Sequence, residues 1–83
     1  MQEHAADLRT LVEELARLLA DSPDQVSVTP VEQEGETVLE VRVAESDLGK
    51  LIGRQGRTAR ALRTIVSAAG ARFQERYSLE IIE

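Results

Sequence analysis

Leu48-Gly49-Lys50-Leu51-Ile52-Gly53-Arg54-Gln55-Gly56-Arg57-Thr58-Ala59-Arg60-Ala61-Leu62-Arg63 decides how this chain is read. Gly53-Arg54-Gln55-Gly56 is a four-residue turn with glycine at both ends, set between an apolar helical segment and an arginine-striped helix. Glycine accepts φ > 0 and lets a ligand approach the backbone closely. The helix that starts after the turn presents N–H groups and a positive dipole end, which suit an anion. Arg54, Arg57, Arg60 and Arg63 add charge around the same point. This build suits a phosphate backbone. A G-x-x-G on its own also fits a plain helix corner that needs small residues, so its neighbours carry the argument.

Charge separates along the chain. The total is −5, which seems to argue against a polyanion as partner. Residues 1–48, however, hold three arginines against twelve acids, while residues 49–76 hold Lys50 and six arginines against Glu75 alone. A local basic patch attracts a polyanion despite a negative total, and the acidic half weakens that attraction.

Working outward, residues 5–20 carry Leu8, Leu11, Val12, Leu15, Leu18 and Leu19 at helical spacing, which predicts a helix with these residues, Leu15 central among them, on its core face. Asp21-Ser22-Pro23 stops it. Residues 25–32 alternate at Val26 and Val28, and Pro30 marks an edge strand or strand end. A turn at 33–36 leads to a second strand at 37–43, with Leu39, Val41 and Val43 on one face, so the two form an antiparallel hairpin. Ser46 or Asp47 caps a short helix at about 47–52, whose buried side is Leu48, Leu51 and Ile52. The helix after the turn spans about 57–69, with Leu62, Ile65, Val66 and Ala69 inward and Gly70 as its stop. Phe73 folds back onto the core. Residues 77–82 form a third strand. The order is α-β-β-α-α-β, in a chain short enough to be one domain over 1–83.

Composition excludes several functions. Without cysteine there is no disulfide and no thiolate metal site. The single histidine, His4, reads as a surface residue without a role in a terminal stretch that frays. No Walker-type or dinucleotide-binding glycine pattern occurs. No nucleophile–base pair or zinc site can be built, so neither enzyme activity, nor a cofactor, nor a metal is expected. No segment approaches a membrane span and no basic-then-apolar leader is present, which points to a soluble, cytoplasmic protein.

The element order, with G-x-x-G between its fourth and fifth elements, resembles the type II KH domain. The stretch from Asp47 to Arg63, above all the I-G-x-x-G core with its R-T-A-x-A-L continuation, resembles the small stand-alone bacterial KH proteins of the KhpA family, across essentially the whole chain. The resemblance implies an α+β fold, a three-stranded mixed sheet with three helices on one face. It implies binding of single-stranded RNA through the GXXG loop, with an RNA-chaperone role, a cytoplasmic location, a KhpB-like partner and self-association. On that reading the RNA backbone crosses Gly53, Arg54, Gln55 and Gly56, where a Cβ on either glycine would hold phosphates away. N–H groups near Gly56 and Arg57 donate to phosphate oxygens. Lys50, Arg57 and Arg60 add charge, and bases lie beside Leu48, Leu51 and Ile52 near a sheet edge. With only Phe73 and Tyr77 aromatic, stacking-platform folds are disfavoured. A second reading stays open, in which the domain is mainly a dimerisation or adaptor surface and RNA binding is secondary. For self-association, Ala61 and Ala68 on the arginine helix, with Ile65 between them, offer a close-approach surface.

Overall fold

A computed structural model describes residues 2–83. Its elements are α1 (Ala5–Leu19), β1 (Ser27–Gln33), β2 (Glu36–Arg42), α2 (Leu48–Ile52), α3 (Arg57–Arg72) and β3 (Tyr77–Ile81). Short 3-10 turns at Pro23–Gln25, Glu45–Asp47 and Arg54–Gly56 link them. The sheet order is β1-β2-β3. β1 and β2 pair antiparallel, with Val31 opposite Val38 and Pro30 opposite Leu39. Pro30 is tolerated because β1 is an edge strand. The hairpin turns at Glu34 and Gly35, both at positive φ (48° and 81°), as a tight two-residue turn requires.

β2 and β3 run parallel, with Leu39 opposite Leu79. Parallel neighbours need a crossover. Here α2, the glycine turn and α3 together make that crossover, so the turn lies at its corner. The core joins Val28, Leu39, Val41 and Leu79 from the sheet to Leu8 and Val12 of α1, Leu51 of α2 and Leu62 and Val66 of α3. The expected α+β architecture, a mixed sheet with its helices on one face, is therefore the one found.

Details of the helices differ from expectation. In α1 the buried line is Ala5, Leu8, Val12 and Ala16, while Leu15 is only half-buried. Leu11, Leu18 and Leu19 are 38%, 84% and 41% exposed. At about 100° per residue, Leu11 and Leu18 sit roughly 100–120° around the helix from Val12, beyond the arc the sheet covers. Two alanines, Ala5 and Ala16, take core positions instead. In α3, Ile65 is 43% exposed rather than inward, and the helix runs through Gly70 to Arg72. Gly70 is not a stop. It is buried, and a Cβ there would meet the Glu75 carbonyl oxygen at 2.8 Å and the Tyr77 ring at 2.9 Å. Glycine is needed there for close helix–strand approach.

His4 also departs from expectation. Its ring stacks on Phe73 at 3.6 Å between centroids, and its Nδ1 lies 2.9 Å from Glu75 Oε2. Phe73 thus folds back onto His4. The Tyr77 hydroxyl donates to Glu75. That bond, reinforced by His4, holds the Glu75 carboxyl below the usual range against a partial desolvation. Burial, and then Glu75 itself, push the Tyr77 hydroxyl well above its ordinary value. Gln2 adds a bond to Thr37, so the start of α1 is pinned to the sheet and to the α3–β3 connection.

Candidate nucleic-acid interface

α2 is five residues long, and one of its side chains, Leu51, is fully buried. Leu48 and Ile52 are half-buried. Of the three apolar residues expected beside bases, Leu51 belongs to the core, because it faces the sheet, while Leu48 and Ile52 border solvent. Asp47 precedes α2 but makes no side-chain cap. Its buried carboxylate accepts the N–H groups of Asp21 and Ser22, each at 3.0 Å. It thus ties the end of α1 to the start of α2, and a capping role read from sequence becomes a tertiary tie. Nearby, Lys50 Nζ pairs with Asp21 at 3.2 Å. Both partners are exposed, so the pair is weak, yet it turns the Lys50 charge toward an acid.

At Gly53 the backbone takes φ 78°, ψ 168°, and a Cβ would fall 2.3 Å from Thr58 Oγ1. Gly53 is therefore required by its positive φ and by the packing of the turn on its own Thr58, the tight helix corner that the sequence offered beside ligand approach. Gly56 is different. Its φ is 72°, and a Cβ there would meet nothing within 4 Å. That face is open to an approaching molecule. Gln55, at φ 58° and ψ 25°, holds the left-handed region without being glycine, a costly conformation for such a residue. The Gln55 side chain is exposed.

The N–H of Gly56 bonds to the Gly53 carbonyl at 3.0 Å, and that of Arg57 bonds to Arg54. These two amides, expected to face a ligand, are spent inside the turn. The N–H groups of Arg54 and Gln55 are the turn's remaining donors. Arg54 and Arg57 are exposed, and Arg60 reaches back to the Gln55 carbonyl oxygen at 3.4 Å, which brings its guanidinium over the turn. Gly53, Arg54, Gln55, Gly56, Arg57 and Arg60 thus converge on one corner, Ile52 adjoins it, and Lys50 leans away. Thr58, whose packing fixes Gly53, was missed by sequence reasoning; its place in the R-T-A continuation was the available signal. Arg63, in the sequence one more charge near the turn, is held by a tertiary contact. Its Nε–H donates to the Leu79 carbonyl at 3.2 Å, a contact set by the α3–β3 packing.

Among the described residues no helix is long and apolar enough to cross a membrane. In the solved structures, Aquifex aeolicus Era bound to GDP and aluminium fluoride contains a similar fold. The TM-score is 0.65 at 17% identity, over 98% of this chain and 31% of that longer one. Among curated proteins, the RNA-binding protein KhpA of Treponema pallidum is 51% identical over 73 residues, 88% of this chain and 91% of its own length. KhpA of Borreliella burgdorferi is 42% identical over the full length of both. The family model for the KhpA/KhpB KH domain matches residues 9–81. With the glycine turn at the crossover corner and these relatives along nearly all of its length, the chain belongs to the KhpA/KhpB KH-domain family.

Proposed function

We propose that this protein binds single-stranded RNA by gripping its backbone across the Gly53–Gly56 turn. The observation that carries this is the turn itself: Gly56 faces open space while Arg54, Arg57 and Arg60 surround it. A phosphate approaches on the Gly56 side. The amides and side chains of Arg54 and Gln55 meet it, and Arg57 and Arg60 supply field. Ile52 and Leu48 offer an apolar border for bases, and Lys50, drawn toward Asp21, contributes least. The relatives' name, RNA-binding protein KhpA, agrees with this use. Such a surface holds about four nucleotides, which suits a cytoplasmic RNA chaperone acting with a KhpB-like partner.

The test is a salt titration with a short single-stranded RNA, read by fluorescence anisotropy. If three phosphates are engaged, affinity falls about tenfold or more between 50 and 200 mM salt. Affinity indifferent to salt would overturn the clamp.

Self-association through α3 belongs to the same proposal. Ala61, Ile65 and Ala68 are all exposed, and Ala61, Thr64 and Ile65 line a shallow groove with Arg57 and Arg60. Small residues seven apart let a second helix approach closely. Pairing there leaves both glycine turns free and raises avidity for longer RNA. Ala61→Arg with Ala68→Arg is expected to give a folded monomer that binds a four-nucleotide oligouridine, which has no guanine to seat, about as before and longer RNA more weakly. Sedimentation decides: a dimer unaffected by both arginines, or a parent chain monomeric at high micromolar concentration, refutes this surface.

A further inference from the structure

Arg63 is held differently from the other arginines around the turn. It follows Gly56 by seven residues, about 10 Å along α3 at about 1.5 Å per residue. Its guanidinium is anchored by Nε–H to the Leu79 carbonyl at 3.2 Å. β3 is an edge strand. Thr37 N–H bonds to the Arg76 carbonyl and Ile82 N–H to the Val41 carbonyl. In a parallel ladder this turns the backbone N–H and C=O groups of the even-numbered residues of β3 toward β2 and the Leu79 carbonyl toward the free edge, while the Leu79 side chain stays in the core. Arg63 therefore lies across the free edge of the sheet, beside a shallow groove on α3 that it lines with Arg60, Thr64, Ser67, Ala68 and Ala71.

Anchoring through Nε fixes the guanidinium plane and leaves the Nη1 and Nη2 donors, which meet no acceptor among the described residues. A fixed planar fork matches two acceptors side by side. Neither aromatic residue is available as a base platform, since Phe73 stacks on His4 and Tyr77 is buried. Recognition of a base in this groove thus falls to polar groups. Resting on the RNA clamp described above, we propose that Arg63 forms a guanine subsite, with its Nη donors on the O6 and N7 of a guanine one or two nucleotides from the turn. The O6/N7 edge is the commonest bidentate match for arginine, whereas adenine presents a donor beside N7.

The experiment compares short oligouridine RNAs carrying one guanosine, one 7-deazaguanosine, one cytidine or no substitution, at fixed salt, by fluorescence anisotropy. A guanosine at the favoured position tightens binding by roughly fivefold to a hundredfold, and 7-deazaguanosine, lacking N7, loses most of that gain. Arg63→Lys keeps the charge but not the fork, and brings the guanosine-to-uridine affinity ratio toward one, a change that a purely structural role would not produce. The deazaguanosine arm uses the unaltered chain and stands if Arg63→Lys fails to fold. No guanosine gain, a larger gain from cytidine, or a gain that survives loss of N7 overturns the subsite while salt-sensitive binding to all RNAs leaves the clamp standing. Binding to none of the RNAs overturns both.

Discussion

Replacing Arg54 and Gln55 together by aspartate is expected to weaken RNA binding about a hundredfold while leaving the melting curve nearly unchanged. One attraction is removed and two repulsions are added along the proposed RNA path. At about 4 Å in water each charge–charge term is worth about 1 kcal/mol, and about 3 kcal/mol in total corresponds to roughly two decades of affinity. The fold should tolerate the change. Both side chains are exposed, both glycines remain, and aspartate enters the left-handed region of Gln55 more readily than most residues. Calorimetry or anisotropy on the folded double variant checks it. Affinity retained within a few-fold would remove the turn from the mechanism.

The largest effect on stability is expected at Leu51. It is 0% exposed and is the one fully buried side chain of a five-residue helix. Leu51→Ala should cost about 2–5 kcal/mol, a large share of what a small domain has. At about 4–8 °C per kcal/mol for this size, melting falls by roughly ten degrees or more. RNA affinity should fall with it, because α2 leads directly into Gly53, the first residue of the turn. Leu15→Ala, at a half-buried position, should cost less. A Leu51→Ala protein melting within a degree or two of the parent would show that α2 is not held by the core.

Much of this protein is written locally. Alternation in β2, helical spacing in α1 and α3, Pro30 on an edge and the paired glycines each act over a few residues, where backbone sterics and burial periodicity suffice. The element order, the hairpin and the position of the turn follow from them, and so does the cluster of Arg54, Gln55, Arg57 and Arg60, since these are neighbours in sequence.

What only the tertiary structure decided concerns partners distant in sequence. Periodicity marks an apolar stripe but not how wide an arc the sheet covers, so Leu11, Leu18 and Ile65 emerge exposed while Ala5 and Ala16 enter the core. Gly53 and Gly56 look alike as letters, yet one is filled by Thr58 and the other faces open space. Asp47 meets Asp21 and Ser22, His4 meets Glu75, and Arg63 meets Leu79. Each contact exists because the helices close on one face of a sheet whose strand order no local pattern specifies. The sequence alone therefore placed the glycine turn and its arginines, and the packing of α3 against β3 placed Arg63 near them.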